Sequence, residues 1–129
     1  MFQGGSRIEG DVYKVSDPEK KHFADHGYVH LRGFLTSEEL EEIDYVYNRF
    51  LARDIVVPGK DYCDMSGDYG RNPDQFSIVN VMLPRRYYPK WQGNIYERRA
   101  ASVACQLCGE GMQLDYDQLL AKQPRKLDA

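Results

Sequence analysis

Phe23-Ala-Asp-His-Gly-Tyr-Val-His-Leu-Arg-Gly-Phe-Leu-Thr-Ser-Glu-Glu-Leu40 changes backbone state three times. Gly27 follows a short helical stretch and suits the left-handed conformation that closes a helix. Tyr28-Val29-His30-Leu31 then reads as a four-residue strand, which Gly33 breaks. Thr36-Ser37-Glu38-Glu39 matches a capping box, with Thr36 as cap and Glu39 reaching back to its amide. Leu35 and Leu40 stand at the positions of a hydrophobic staple.

Toward the N-terminus, Asp17-Pro18 opens the first helix. Asp17 serves as cap, Pro18 sits at the first helical position where it loses no bond, and Phe23 faces inward. Residues 1–16, with Gln3-Gly4-Gly5-Ser6, read as a flexible tail. No basic region followed by an apolar run marks a signal peptide.

Toward the C-terminus, Leu40, Ile43, Val46, Tyr47, Phe50 and Leu51 recur at helical spacing, and the second helix should end near Arg53. Glu38, Glu41, Glu42 and Arg49 face water. Residues 58–75 read as a long loop rich in glycine, proline and aspartate, of a length that is usually functional or mobile. Phe76 to Leu83 suits a strand or a helix start, and Pro84 and Pro89 bracket a turn. A third helix is expected from about Lys90 to Leu107, ended by Gly109 and Gly111. Met112 to Lys122 alternates as a strand, with Met112, Leu114, Tyr116, Gln118 and Leu120 on one face. No segment of matching length offers itself as its partner.

The 129 residues, 42% hydrophobic, suffice for one small domain. A net charge of −3 argues against a nucleic-acid partner. The basic clusters Arg85-Arg86, Arg98-Arg99 and Lys122 to Lys126 are short and read as solvated faces. No apolar run is long enough for a membrane span. Three cysteines fit a reducing compartment, so a cytoplasmic location is expected.

Isolated chemical motifs are weak. His22 and His26 are four apart on the first helix and could share a face, but no His-Glu-x-x-His is present; surface or packing histidines are the commoner case. Cys105-Gln106-Leu107-Cys108 lies at a helix C-terminus, which disfavours a thiolate, and Cys63 alone cannot complete a zinc site. The thiols read as structural. Asp61, Asp64 and Asp68 lack the spacing of a calcium loop and read as turn formers.

Two stretches nevertheless resemble a known family. Phe23 to Leu40 is similar to the opening of the phytanoyl-CoA dioxygenase family, with its short helix, Gly-Tyr strand, Gly-Phe-Leu turn and Thr-Ser-Glu-Glu-Leu helix. Leu114-Asp-Tyr-Asp-Gln-Leu-Leu-Ala-Lys-Gln-Pro124 is similar to that family's strand ending in Lys-x-Pro, and a long helix precedes it.

The resemblance implies an α+β fold made of the N-terminal helices and first strands of a double-stranded β-helix (jelly-roll, cupin-like) oxygenase, incomplete in this chain. It makes residues 17–129 the N-terminal portion of a single dioxygenase domain. It further implies oxidation of a small organic substrate with O₂, Fe(II) and 2-oxoglutarate. The family's iron ligands, a His-x-Asp and a distant His, are expected beyond the Lys-x-Pro strand, as is an Arg that pairs with the co-substrate. The chain contains no His-x-Asp. It is therefore expected to be inactive alone and to bind neither iron nor 2-oxoglutarate tightly. The resemblance places Gln118 and Lys122 at co-substrate-binding positions. Two partners are expected besides the substrate: a complementing chain, or a second copy joined through residues 112–122. The alternative is a non-catalytic assembly module that completes its sheet with a partner.

Overall fold

The computed structural model describes residues 7–67 and 72–124. The fold is α+β, with four α-helices and two small antiparallel sheets among the described residues, neither sheet closed or curled. The chain divides into two compact units: the residues up to Leu40 with Gly93–Leu114, and Glu41–Gln92 with the residues from Asp115 on.

The first unit begins with a hairpin, β1 (Ile8–Glu9) and β2 (Val12–Tyr13), turning at Gly10 with φ 59°. Residues 7–16 are thus built into the fold where a flexible tail was expected; residues 1–6 lie outside the described residues. The reason is Tyr13, which has no exposed surface. Its amide donates to Ser102 Oγ at 3.2 Å and its hydroxyl to the Arg32 carbonyl at 2.5 Å. Gln106 Nε2 donates to the Tyr13 carbonyl at 2.7 Å, and the Val15 amide donates to Gln106 Oε1 at 2.9 Å.

Helix α1 (Asp17–His26) is capped by Ser16 rather than Asp17. The Glu19 amide donates to Ser16 Oγ, and the Ser16 amide donates to Glu19 Oε1, so Ser16 holds the two ends of the box. Gly27 closes the helix at φ 81° as expected. Tyr28 to Leu31, expected as a strand, pairs with no strand among the described residues. Helix α2 (Ser37–Leu51) opens with the capping box at Thr36 and Glu39: the Glu39 amide donates to Thr36 Oγ1, and the Thr36 amide to Glu39 Oε1. Helix α4 (Ile95–Cys108) starts later than Lys90 because Asn94 caps it, its Oδ1 accepting from the Glu97 amide at 2.8 Å.

Arg99 overturns the solvated-face expectation for its basic pair. It is 1% exposed. Its guanidinium donates to both Glu39 carboxylate oxygens and to the carbonyls of Phe34 and Gly10. This binds the hairpin turn, the start of α2 and the middle of α4 at one point.

The second unit packs α2, from Glu41 on, against a three-stranded sheet of β3 (Tyr62–Asp64), β4 (Ile78–Met82) and β5 (Gln118–Lys122), with β4 in the centre. Val46, Phe50, Ile55, Phe76, Val79, Val81 and Leu119 form its core, with Trp91 against Phe50 at 5.6 Å between ring centres. Trp91 lies in a 3₁₀ turn, Pro89–Trp91, not on α4. The short helix α3 (Pro84–Tyr87) fills the turn between the two prolines.

The loop over residues 58–75 is less open than expected, because it contains β3. Asp64, 2% exposed, ties the end of β3 to the start of β4. The Asp64 carboxylate accepts from the Ser66 amide and hydroxyl and from the amides of Ser77 and Ile78. Residues 68–71 of this loop, Asp68 among them, lie outside the described residues.

The final strand is not an orphan. It pairs antiparallel with all five residues of β4, from Gln118↔Met82 to Lys122↔Ile78. It is five residues long because its partner stops there: Leu83 takes a left-handed φ of 55° and Pro84 turns the chain away. Leu119 and Ala121 point into the core, so the face that carries Leu120 is the outer one. No helix among the described residues is long and apolar enough to cross a membrane.

Candidate functional site

Directly opposed residues of an antiparallel pair share a sheet face. The register therefore puts Gln118, Leu120 and Lys122 of β5, Ile78, Asn80 and Met82 of β4, and Cys63 of β3 on the face away from the core. Gln118 and Lys122 are both exposed there. Four residues of strand separate them by roughly 13 Å. Asn80 faces Leu120 and so sits between them, one strand inward, at roughly 7–8 Å to each by the usual diagonal spacing.

Asn80 is the residue that sequence reasoning missed. It is 3% exposed, and its Nδ2 donates to Cys63 Sγ at 3.7 Å. Its Oδ1 is buried with no hydrogen-bond partner among the described residues. A buried, unpaired carboxamide oxygen carries a desolvation cost, so a polar residue in the centre of the apolar run Ile78-Val79-Asn80-Val81-Met82 is a marked choice. That interruption was the available signal.

The surroundings hold β5 in place. Asp117, just before the strand, forms an ion pair with Arg85 at 3.4 Å, and its carbonyl accepts from the Leu83 amide. On the outer edge, Tyr47 donates its hydroxyl to the Leu120 carbonyl at 3.5 Å. Burial, then the Asp44 charge, pushes the pKa of that phenol up and keeps it a donor. Tyr116 donates to Gln118 Oε1 at 3.4 Å.

Lys122 and Gln118 offer an ammonium and a carboxamide N–H, donors suited to a carboxylate, whereas the unpaired Asn80 Oδ1 is an acceptor. No group of three or more His, Cys, Asp or Glu side chains able to hold a metal occurs among the described residues. Cys105 and Cys108 occupy the last turn of α4, the first half-buried and the second exposed, whereas Cys63 is buried. His22 and His26 do share a face of α1. A shallow groove of about 480 Å³ on α2, lined by Glu41, Asp44, Tyr45, Asn48, Arg49, Ala52 and Asp54, is an open solvated helix face. The chain matches no family model, no curated protein and no solved structure.

Proposed function

We propose that this chain supplies the N-terminal part of an iron- and 2-oxoglutarate-dependent oxygenase of the phytanoyl-CoA dioxygenase type. The helices and the β3-β4-β5 sheet would be the opening portion of its double-stranded β-helix. The supporting observation is the polar trio on the outer sheet face: Gln118 and Lys122 flanking Asn80. Lys122 would neutralise a co-substrate carboxylate, Gln118 would donate a hydrogen bond to it, and the Asn80 carbonyl would accept one from a bound donor. In the complete enzyme, 2-oxoglutarate supplies electrons that activate O₂ toward a small organic substrate. The iron ligands would come from sequence outside these 129 residues, and the loop over 58–73 would cover the substrate side.

Amide NMR shifts recorded with millimolar 2-oxoglutarate test this. Perturbations should centre on β5 and Asn80 and vanish in Lys122→Ala. Shifts centred elsewhere, or tight stoichiometric iron binding by residues 1–129, would overturn it.

An assembly module is the alternative, favoured by the outer edge of β5. The ladder bonds Leu83 N–H to Asp117 and Gln123 N–H to Ser77 turn the backbone groups of Gln118, Leu120 and Lys122 outward, where an added strand would displace the Tyr47 hydroxyl from the Leu120 carbonyl. Leu120 is 48% exposed beside them. Strand addition there would make a dimer visible by light scattering. A monomer at all concentrations would exclude self-addition.

A further inference from the structure

Helix α1 is held at both ends. The Ser16–Glu19 box closes the first turn, and the Gly27 amide donates to the Phe23 carbonyl at 2.8 Å in the last. Between them, His22 and His26 stand one turn apart on the same face, their ring centres 4.4 Å apart and their planes inclined by 43°. The left-handed turn at Gly27 brings Tyr28 back against this pair. Its ring meets His22 edge-on at 5.0 Å and lies 6.2 Å from His26. His22 is half-buried, while His26 and Tyr28 are exposed, so the pair is open to solvent on one side. On the same helix Lys21 pairs with Asp25 at 2.5 Å.

Two imidazoles that chelate one ion at metal–nitrogen distances of about 2.0–2.1 Å, with a ligand angle of about 90–110°, have ring centres about 4.5–5 Å apart. The ring-centre spacing in α1 is already close to this. A rigid helix also presents both rings without ordering a loop. Imidazole pairs favour late first-row cations, and the affinity order rises from iron toward copper.

We propose that His22 and His26 form a surface chelate for copper(II), nickel(II) or zinc(II), with water completing the coordination shell and Tyr28 walling one side. This site shares no residue with the sheet face described above and stands whether or not that face binds a carboxylate. It is a two-residue site, distinct in composition from a triad of two histidines and a carboxylate.

Titration of the full chain with zinc(II), followed through the histidine ring protons by NMR, tests the proposal alongside calorimetry with nickel(II). One equivalent should bind, with the His22 and His26 resonances moving together and His30 unmoved. His22→Ala and His26→Ala should each weaken binding about tenfold or more, since each removes one arm of the chelate, while His30→Ala should leave it unchanged. An unchanged circular dichroism spectrum will show that α1 survives each substitution. Binding that persists in both variants, binding that depends on His30, or no binding at millimolar metal would overturn the assignment.

Discussion

Arg99 donates to both carboxylate oxygens of Glu39, at 2.6 and 2.9 Å, while Glu39 also accepts the Thr36 amide of its own capping box. One carboxylate thus closes a helix and neutralises a guanidinium with 1% exposure. The Arg99 bonds, above all, hold the Glu39 carboxyl down at about 2, against its ordinary 4.5. A depressed acid contributes stability that is full above the unfolded value. That contribution is lost as pH falls from about 4.5 through about 2, and its upper bound is about 3 kcal/mol. Glu39→Gln should cost about 3 kcal/mol at neutral pH by leaving the Arg99 charge uncompensated. It should also flatten this part of the acid limb. Urea unfolding of both proteins between pH 7 and pH 2 checks the sign and the window.

Leu119 and Leu120 are adjacent yet oppositely placed, 6% and 48% exposed. Leu119→Ala should destabilise by about 2–4 kcal/mol through a core cavity. Leu120→Ala should cost about 1 kcal/mol or less. Equal costs, measured by denaturant titration, would place β5 in the wrong register.

Asn80 offers a test of the orphaned carbonyl. Asn80→Val removes a buried unpaired oxygen from a central strand and should raise stability by about 1 kcal/mol. Urea unfolding of the two proteins checks the direction.

Helix α2 ends in a Schellman arrangement: the Arg53 amide donates to the Phe50 carbonyl and the Asp54 amide to that of Arg49. Arg53 therefore sits at φ 64°, where glycine is the usual occupant. Arg53→Gly should stabilise the protein by about 0.5–1 kcal/mol, since its exposed ion pair with Asp74 offsets little of the gain. Thermal melting checks this.

The elements legible from sequence are those whose chemistry is local. Thr36 and Glu39 are three residues apart, Gly27 follows its helix directly, and the Val46–Phe50 face repeats within one helix. Tyr13, Arg99 and Asn80 escaped because their meaning depends on partners 17 to 93 residues away. Arg99 reads as a surface charge until Gly10, Phe34 and Glu39 surround it. The inward face of β5 was not legible for the same reason: alternation gives two candidate faces, and only pairing with Val79 and Val81 decides which is inward. Gln118 and Lys122 came from a family resemblance, and the register that groups them with Asn80 came from the fold.

The first unit is made of two stretches of chain separated by more than fifty residues, and Arg99 joins them. During synthesis, Gly10, Phe34 and Glu39 emerge long before their common partner. At ordinary elongation rates the sixty residues between Glu39 and Arg99 take about 3–12 s to add. For that interval the Glu39 carboxylate has only its helix cap, and the hairpin at Gly10 has nothing to close against. The hairpin of β3 and β4 can form meanwhile from neighbouring residues. The nascent protein is thus expected to order its middle before its beginning, with the arrival of Arg99 at the tunnel mouth as the event that completes the N-terminal segment.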